Sequence, residues 1–419
     1  MKIRVKAMSP EEFLALPVPL HKKPGKPSMV FRTLMKLAAV SELHAVDFQC
    51  KRIGMEKLTP GEPCLYLMNH SSFIDLKIIA SVLYPAPFQI VCTSDGFVGK
   101  EWLMRSLGCI PTRKFTTDAV LVRDMAHALR KNHASVVLYP EASYSFDGTA
   151  TPLPDTIGPL CKMMRVPVVM IRTYGAFARD PLYNGLRLRK VPVTAEMTCL
   201  YTAAELQSAS AAEVQEKIDA FFTFDHFRWQ RETNTAITEP FRAEGLERVL
   251  YKCKSCGTEG TMHGHGTMLR CEHCGAAWEM DVYGTLHREG EELWIPQWYA
   301  WERAEVRREL AEGRYRLDIP VRVRGMRDFR AIYDLGSGRL VHDADGFHLT
   351  CGRIDCRQKP GASYSLYADY FWYELGDMIC IADRDSLYYC FPQTETPVAK
   401  ARLAAEEMYK LREGAVSRT

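Results

Sequence analysis

The sequence carries almost no excess charge of either sign: 54 Lys and Arg stand against 51 Asp and Glu, net +3 over 419 residues. So small a surplus excludes a chain that coats a polyanion along its whole length, and no nucleic acid is expected among its partners. It also lacks any run of roughly eighteen or more apolar residues, so no membrane-spanning helix is expected. Residues 1–15 include Glu11 and Glu12 and hold no uninterrupted apolar core, which argues against a secretory signal there. Fourteen cysteines are present, but ten of them lack the dense, even spacing of a secreted disulfide scaffold. The expected compartment is a reducing cytoplasm, with any membrane contact peripheral. The length suits two or three domains, each large enough to bury its own core.

What the chain does have is organised around Asn69-His70-Ser71-Ser72-Phe73-Ile74-Asp75, which follows the apolar run Cys64-Leu65-Tyr66-Leu67-Met68. A neutral imidazole takes a proton from an attacking hydroxyl when a carboxylate fixes its other nitrogen, and ends of buried strands are where α/β sheets place such groups. His70 and Asp75 fit as base and orienting acid, with Asn69 fixing the turn. The competing structural explanation is a histidine closing a loop and an aspartate capping the helix that follows.

Three further stretches come in order: Gly108-Cys109-Ile110-Pro111-Thr112-Arg113-Lys114, then Tyr139-Pro140-Glu141-Ala142-Ser143-Tyr144-Ser145, then Val166-Pro167-Val168-Val169-Met170-Ile171. Four blocks in this order and spacing resemble the glycerolipid acyltransferase family, the 1-acyl-sn-glycerol-3-phosphate acyltransferase-like proteins, over about residues 30–230. The resemblance implies O-acyl transfer from an acyl thioester, on coenzyme A or acyl carrier protein, to the hydroxyl of a lysophosphatidate-like lipid. It implies His70 as general base with Asp75 as its partner, Arg113 as the contact for the acceptor's phosphate and Glu141 as a ligand of its glycerol portion. Pro167 stands where the family has its fourth-block proline. Asn69, Lys114 and Ser143 complete the expected substrate-binding set. The third block departs from the family's Phe-Pro-Glu-Gly-Thr-Arg-Ser: Ala142 replaces the glycine, Ser143 the threonine and Tyr144 the arginine. Tyrosine cannot supply a bidentate phosphate donor, so Lys114, Arg165 and Arg172 become candidates to compensate. An alanine in place of that glycine is harmless only if its φ is negative. A catalytically inactive, lipid-binding regulator is the alternative reading.

Residues 17–28, with four prolines among Lys22, Lys23 and Lys26, predict an extended basic arm, and the whole of 1–28 is assigned to it. Residues 29–43 predict an amphipathic helix, either packed on its own domain or lying in a membrane interface beside that arm. Within 29–235 the pattern is α/β: buried strands at 65–68, 88–92, 136–139 and 166–171, and helices at 76–83, 102–107 and 118–131; the resemblance implies that they form a mixed sheet flanked by helices. Capping boxes at Thr202–Glu205 and Ser210–Glu213 predict two closing helices. Residues 221–229 form an aromatic cluster, read as core or as an acyl-chain contact.

Cys253-Lys-Ser-Cys256-Gly257 and Cys271-Glu-His-Cys274-Gly275 make two Cys-x-x-Cys-Gly knuckles inside residues 236–295, the spacing of a tetrathiolate zinc ribbon. Four thiolates close the coordination sphere, so the metal is expected to be structural. His263, His265 and His273 offer the alternative of mixed ligation. A nucleic-acid adaptor built on this ribbon is disfavoured by its sparse basic residues Lys252, Lys254 and Arg270. Residues 296–419 predict a connecting helix at 295–310, several strands, and a final amphipathic helix at 397–412, an arrangement similar to a pleckstrin-homology or GRAM-type domain. Arg322, Arg324 and Arg327 there are either lipid-phosphate ligands or a solvated strand face.

Overall fold

The computed structural model describes residues 3–115, 118–362, 364 and 368–416, the last five of these by backbone alone. A seven-stranded sheet runs in the order Gln49–Ile53, Thr194–Tyr201, Val168–Tyr174, Leu65–Met68, Ser135–Leu138, Phe88–Thr93, Cys109–Thr112. The last five strands in this order are mutually parallel, and Val168–Tyr174 is antiparallel to Thr194–Tyr201. This is the mixed sheet expected, and its consequence is positional: every parallel strand ends on the same edge, so the chain segments after Met68, Thr112, Leu138 and Tyr174 converge there.

The central strand Leu65–Met68 is buried on both faces, as its unbroken apolar run requires. Leu65 and Leu67 pack with Met125, Leu129, Ile157 and Cys161 from the helices Ala119–Arg130 and Ile157–Met164. Tyr66 and Met68, pointing the other way, pack with Ala39 and Leu43 of Met29–Ala45 and Ile78 and Ile79 of Ile74–Val82. Each fully buried leucine contributes roughly 1.5–3 kcal/mol, enough to fix the strand's register and hence the position of the loop at its end. Both predicted capping boxes form: Thr202 and Glu205 bond reciprocally, as do Ser210 and Glu213.

Two more sheets follow. Five antiparallel strands, Met262–His265 through Glu291–Trp294, surround the cysteine knuckles. The helix Ile295–Ala311 then leads into an eight-stranded sheet, after which comes the closing helix Val398–Val416. The amino-terminal residues correct the expectation of an extended arm over 1–28. Val5–Ala7 is a strand paired in parallel with residues 332–334 of the last sheet, and Pro10–Leu14 is a helix closed by a Ser9–Glu12 capping box. Phe13, 0% exposed, anchors this segment against Tyr333 and Tyr388. Only the proline-rich stretch after it runs without regular structure into Met29–Ala45. The arginines Arg322, Arg324 and Arg327 are engaged within the chain, the first two with Asp334 and the third with the Leu16 carbonyl and Ser386. No helix among the described residues is long and apolar enough to cross a membrane.

Candidate active site

The loop after Leu65–Met68 turns at once into Ile74–Val82, and this tight turn is what brings Asp75 back onto the imidazole. His70 Nδ1 lies 3.0 Å from Asp75 Oδ2, and the same oxygen accepts the Ser71 and Ser72 N–H groups at 2.9 and 3.2 Å. Asp75 is 1% exposed and sits in the first turn of its helix, where the N-terminal dipole favours a carboxylate. An acceptor at Nδ1 places the neutral ring's proton on that nitrogen and leaves Nε2 to accept one. Tyr139 and Tyr144 lie one against each face of the ring, both with centroids 4.2 Å away. They fix its plane while a quarter of the side chain stays open to solvent.

The neighbouring strand, Ser135–Leu138, delivers Glu141. Its carboxylate is 2% exposed and bridges two loops: one oxygen accepts the His70 N–H at 3.0 Å, the other the Thr151 N–H at 2.8 Å. Burial pushes its pKa up to about 7, against the pull of the Thr151 and His70 N–H groups and of Arg402. Both oxygens thus accept main-chain donors, and Glu141 ties the backbone of residue 70 to that of residue 151. Ala142 has φ +56°, so the harmless negative-φ case does not hold, and the alanine sits in the left-handed region that the family glycine would occupy without strain.

Asn69 fixes the turn. Its Oδ1 accepts the Thr173 N–H at 2.8 Å and its Nδ2 donates to Ser71 Oγ at 3.2 Å. Ser143 is buried, and its Oγ accepts from Arg402 of the last helix at 3.2 Å. Both expected substrate ligands are thus engaged within the protein.

Arg113 follows the edge strand Cys109–Thr112, three strand spacings of about 4.8 Å, or roughly 14 Å, from the His70 strand. Its side chain is exposed, and its backbone N–H donates to Asp118. None of the hydrogen bonds or ion pairs of the described residues joins its guanidinium to His70, Asp75 or Glu141. Lys114 is turned toward the last sheet, in the field of Asp95, Asp369 and Cys380. Arg165 precedes Val168–Tyr174 and so lies at the opposite edge of the sheet. Arg172 does reach the site's surroundings: it packs over Phe221 and lines a narrow cleft with Asn69, Ser71, Glu141 and His226.

Two residues at this site carry no local sequence signal. His226 Nε2 lies 3.3 Å from Ser71 Oγ, and burial pushes its pKa down to about 3, which keeps it neutral. It falls in the aromatic stretch 221–229, stacked on Phe177. Asp180 accepts from Ser72 Oγ and is lifted by burial to about 7.

The ligand atoms of Cys253, Cys256, Cys271 and Cys274 lie within 4.8 Å of one another. Gly257 and Gly275, each at φ +76°, turn back so that their N–H groups bond the carbonyls of Cys253 and Cys271. A tetrahedral ion with bonds of about 2.3 Å separates its sulfurs by roughly 3.8 Å. The pairs Cys253–Cys274 and Cys256–Cys271 stand at 3.7 and 3.8 Å, so the four thiolates fit such an ion. His273 instead meets Thr258, and His263 meets Glu272.

Residues 49–172 match a family model described as Acyltransferase. A chloroplastic 1-acyl-sn-glycerol-3-phosphate acyltransferase of Brassica napus is 30% identical over 128 residues, 29% of this chain and 36% of that protein. The 1-acyl-sn-glycerol-3-phosphate acyltransferase beta of Homo sapiens is 25% identical over 125 residues, 29% of this chain and 45% of that protein. The chain spans less than half the length of these curated relatives. A crystal structure of the 1-acyl-sn-glycerophosphate acyltransferase from Thermotoga maritima aligns with a TM-score of 0.38 at 16% identity, over 49% of this chain and 80% of that one. The sequence matches support an acyltransferase domain in this stretch, which contains His70, Asp75, Arg113 and Glu141.

Proposed function

We propose that the chain is a cytoplasmic, peripheral-membrane O-acyltransferase that moves a fatty acyl group from an acyl thioester to the hydroxyl of a lysophosphatidate-like lipid. The observation that carries this reading is the 3.0 Å contact between His70 Nδ1 and the buried Asp75, which leaves Nε2 as the proton acceptor. In this mechanism Nε2 takes the acceptor's hydroxyl proton as its oxygen attacks the thioester carbonyl. The tetrahedral intermediate collapses with loss of the carrier's thiolate, and the imidazolium returns the proton to that sulfur, so base and acid are one residue. Asp75 stabilises the imidazolium formed in between. The donor is acyl-CoA or acyl carrier protein, and Arg113, exposed on the same sheet edge, is the acceptor's phosphate contact.

The surface beside the site suits a bilayer. Met29, Val30, Leu34, Leu37 and Val40 are exposed on Met29–Ala45, and Phe73 and Leu76 are exposed next to the His70 loop. Lys22, Lys23 and Lys26 precede that helix, and each well-placed cation adds about 1 kcal/mol toward anionic lipid. The four-cysteine cluster is a structural zinc site in this reading, holding together a small sheet. The domain plan that follows is an acyltransferase part at 29–235, the ribbon at 236–295 and a β-rich part at 296–419. The test is release of free thiol from acyl-CoA or acyl carrier protein by the purified chain given lysophosphatidate. Turnover is expected in the wild type and not in a folded His70→Ala variant; equal rates in the two would remove the assignment.

A further inference from the structure

The loop that holds the candidate base is itself held from the far end of the chain. Arg402, on Val398–Val416, is 3% exposed. Its guanidinium donates to Ser143 Oγ at 3.2 Å, Thr151 Oγ1 at 3.3 Å and the Tyr144 carbonyl at 3.5 Å, and it lies over the Phe146 ring at 4.0 Å. Its Nε meets Glu406 at 2.9 Å, and Glu406 is braced in turn by Arg303 at 2.7 Å. Tyr364 adds a hydrogen bond to the Pro140 carbonyl at 2.9 Å. The loop's outer side is thus fastened to the carboxyl-terminal part of the molecule. Its inner side does the work at the base: Glu141 accepts the His70 N–H, the Ser145 N–H donates to the His70 carbonyl at 3.3 Å, and Tyr139 and Tyr144 hold the ring.

We propose that Arg402 is a positioning residue of the acyltransferase site, acting through residues 139–151 on Glu141 and His70, so that the carboxyl-terminal domain is a working part of that site. A buried arginine–glutamate pair is a poor way to stabilise a helix contact, since apolar side chains of similar volume do so at less desolvation cost. What the guanidinium gives that an apolar residue cannot is three donors aimed at one loop, plus a positive charge behind a buried carboxylate. The third block carries tyrosine where the resembling family has arginine, and here a guanidinium from 258 positions downstream reaches the Tyr144 backbone. The four blocks end at Ile171, so nothing in them reveals this dependence.

The inference rests on the acyltransferase reading, and the experiment separates the two. Full-length Arg402→Gln, Arg402→Lys and the double variant Arg402→Gln/Glu406→Gln, which leaves no unpaired charge at that position, are compared with wild type, with Arg308→Gln as the control, an exposed residue of Ile295–Ala311 paired with Glu305 of its own helix. Amide hydrogen exchange across residues 139–151 needs no substrate; it is expected to accelerate at least tenfold in both Gln-bearing variants and to stay unchanged in the control. With acyl-CoA and lysophosphatidate, kcat is expected to fall at least tenfold with KM for the donor within twofold. The acidic limb of kcat is expected to move to higher pH, because Glu141, which also faces Asp75, His70, Tyr364 and, across the cleft, Arg172 and His226, loses the positive charge of Arg402 that favours its carboxylate. Lysine, which keeps the charge but not the fork, is expected to restore the limb and only part of kcat. Wild-type loop exchange in both Gln-bearing variants would overturn the proposal whether or not the wild type turns over; so would a loss of kcat with the limb unmoved in every variant. A wild type without thiol release, but with loop exchange that answers to Arg402, would overturn the acyltransferase reading and leave the loop anchor standing.

Discussion

Replacing Glu141 by glutamine should make the protein more stable at alkaline pH and less active, and the burial of the carboxyl sets the size of the effect. Glu141 is buried with its pKa raised from 4.5 to about 7, so the folded state holds its proton more tightly than the unfolded chain does. The sign follows: this group's contribution to stability is fully present below pH 4.5 and is lost as pH rises through about 7. At 1.36 kcal/mol per pKa unit the full loss is about 3 kcal/mol. A protonated carboxyl offers its two main-chain neighbours one acceptor and one hydroxyl, and a glutamine offers one acceptor and one amide group. The variant should therefore match the wild type within about 1 kcal/mol at pH 5 and exceed it by about 2–3 kcal/mol at pH 8.5, read from urea unfolding midpoints at each pH. Thiol release should drop tenfold or more, because the bridge between the His70 and Thr151 amides is weakened. A stability difference that stays constant from pH 5 to 8.5 would refute the reasoning, since it would mean that the carboxyl does not titrate in this window.

Ala142→Gly should stabilise, the reverse of the usual cost of about 1 kcal/mol for introducing glycine, because φ +56° strains an alanine by roughly 1–2 kcal/mol and part of that relief survives the added entropy of the unfolded chain; a midpoint lowered by a full 1 kcal/mol would contradict this. Native mass spectrometry should find one zinc per chain. Stripping it with a chelator, or changing Cys253 and Cys271 to serine, should melt the five-stranded sheet and expose Trp278, seen as a fluorescence change; an unaltered spectrum in the metal-free chain would count against the site. Leu34→Asp with Leu37→Asp should cut binding to anionic vesicles at least tenfold in sedimentation without lowering the unfolding midpoint, and undiminished binding would rule out this helix as the membrane contact.

The parts of the fold that could be read from the sequence are those whose cause is local. An apolar run long enough for one strand marks Leu65–Met68; Ser and Thr three residues before Glu mark the helices Ala203–Ser208 and Ala211–Phe221; cysteines two apart before glycine mark the knuckles. Among the sheet-domain elements that escaped, two did so for equally local reasons. Thr194–Tyr201 buries alternate residues, but these are Ala195, Met197, Cys199 and Tyr201, too mixed in size to stand out as a strand pattern. Ile157–Met164 contains Gly158 and Pro159, both poor helix formers, yet Gly158 is required because a Cβ there would meet the Ala211 carbonyl at 2.4 Å.

The candidate site divides along the same line. His70 and Asp75 are four intervening residues apart, so the turn between them is a short-range event and their pairing is legible. Lys114 is drawn to Asp95 and Asp369, and Ser143 to Arg402, by surfaces that meet only after distant segments dock. Residue type alone therefore gives no sign of either contact. A motif specifies which chemistry a loop carries, whereas the charges that hold the loop come from whatever the rest of the chain packs against it. In this molecule that is the last helix, whose Arg402 is separated from Thr151 by 251 positions and joined to it by a single hydrogen bond between side chains. Transplanting residues 49–172 into a chain without that helix should keep the His70–Asp75 pair, since its contacts are local, but lose the clamp on Glu141, so such a chimera would bind Asp75 to His70 and still turn over slowly.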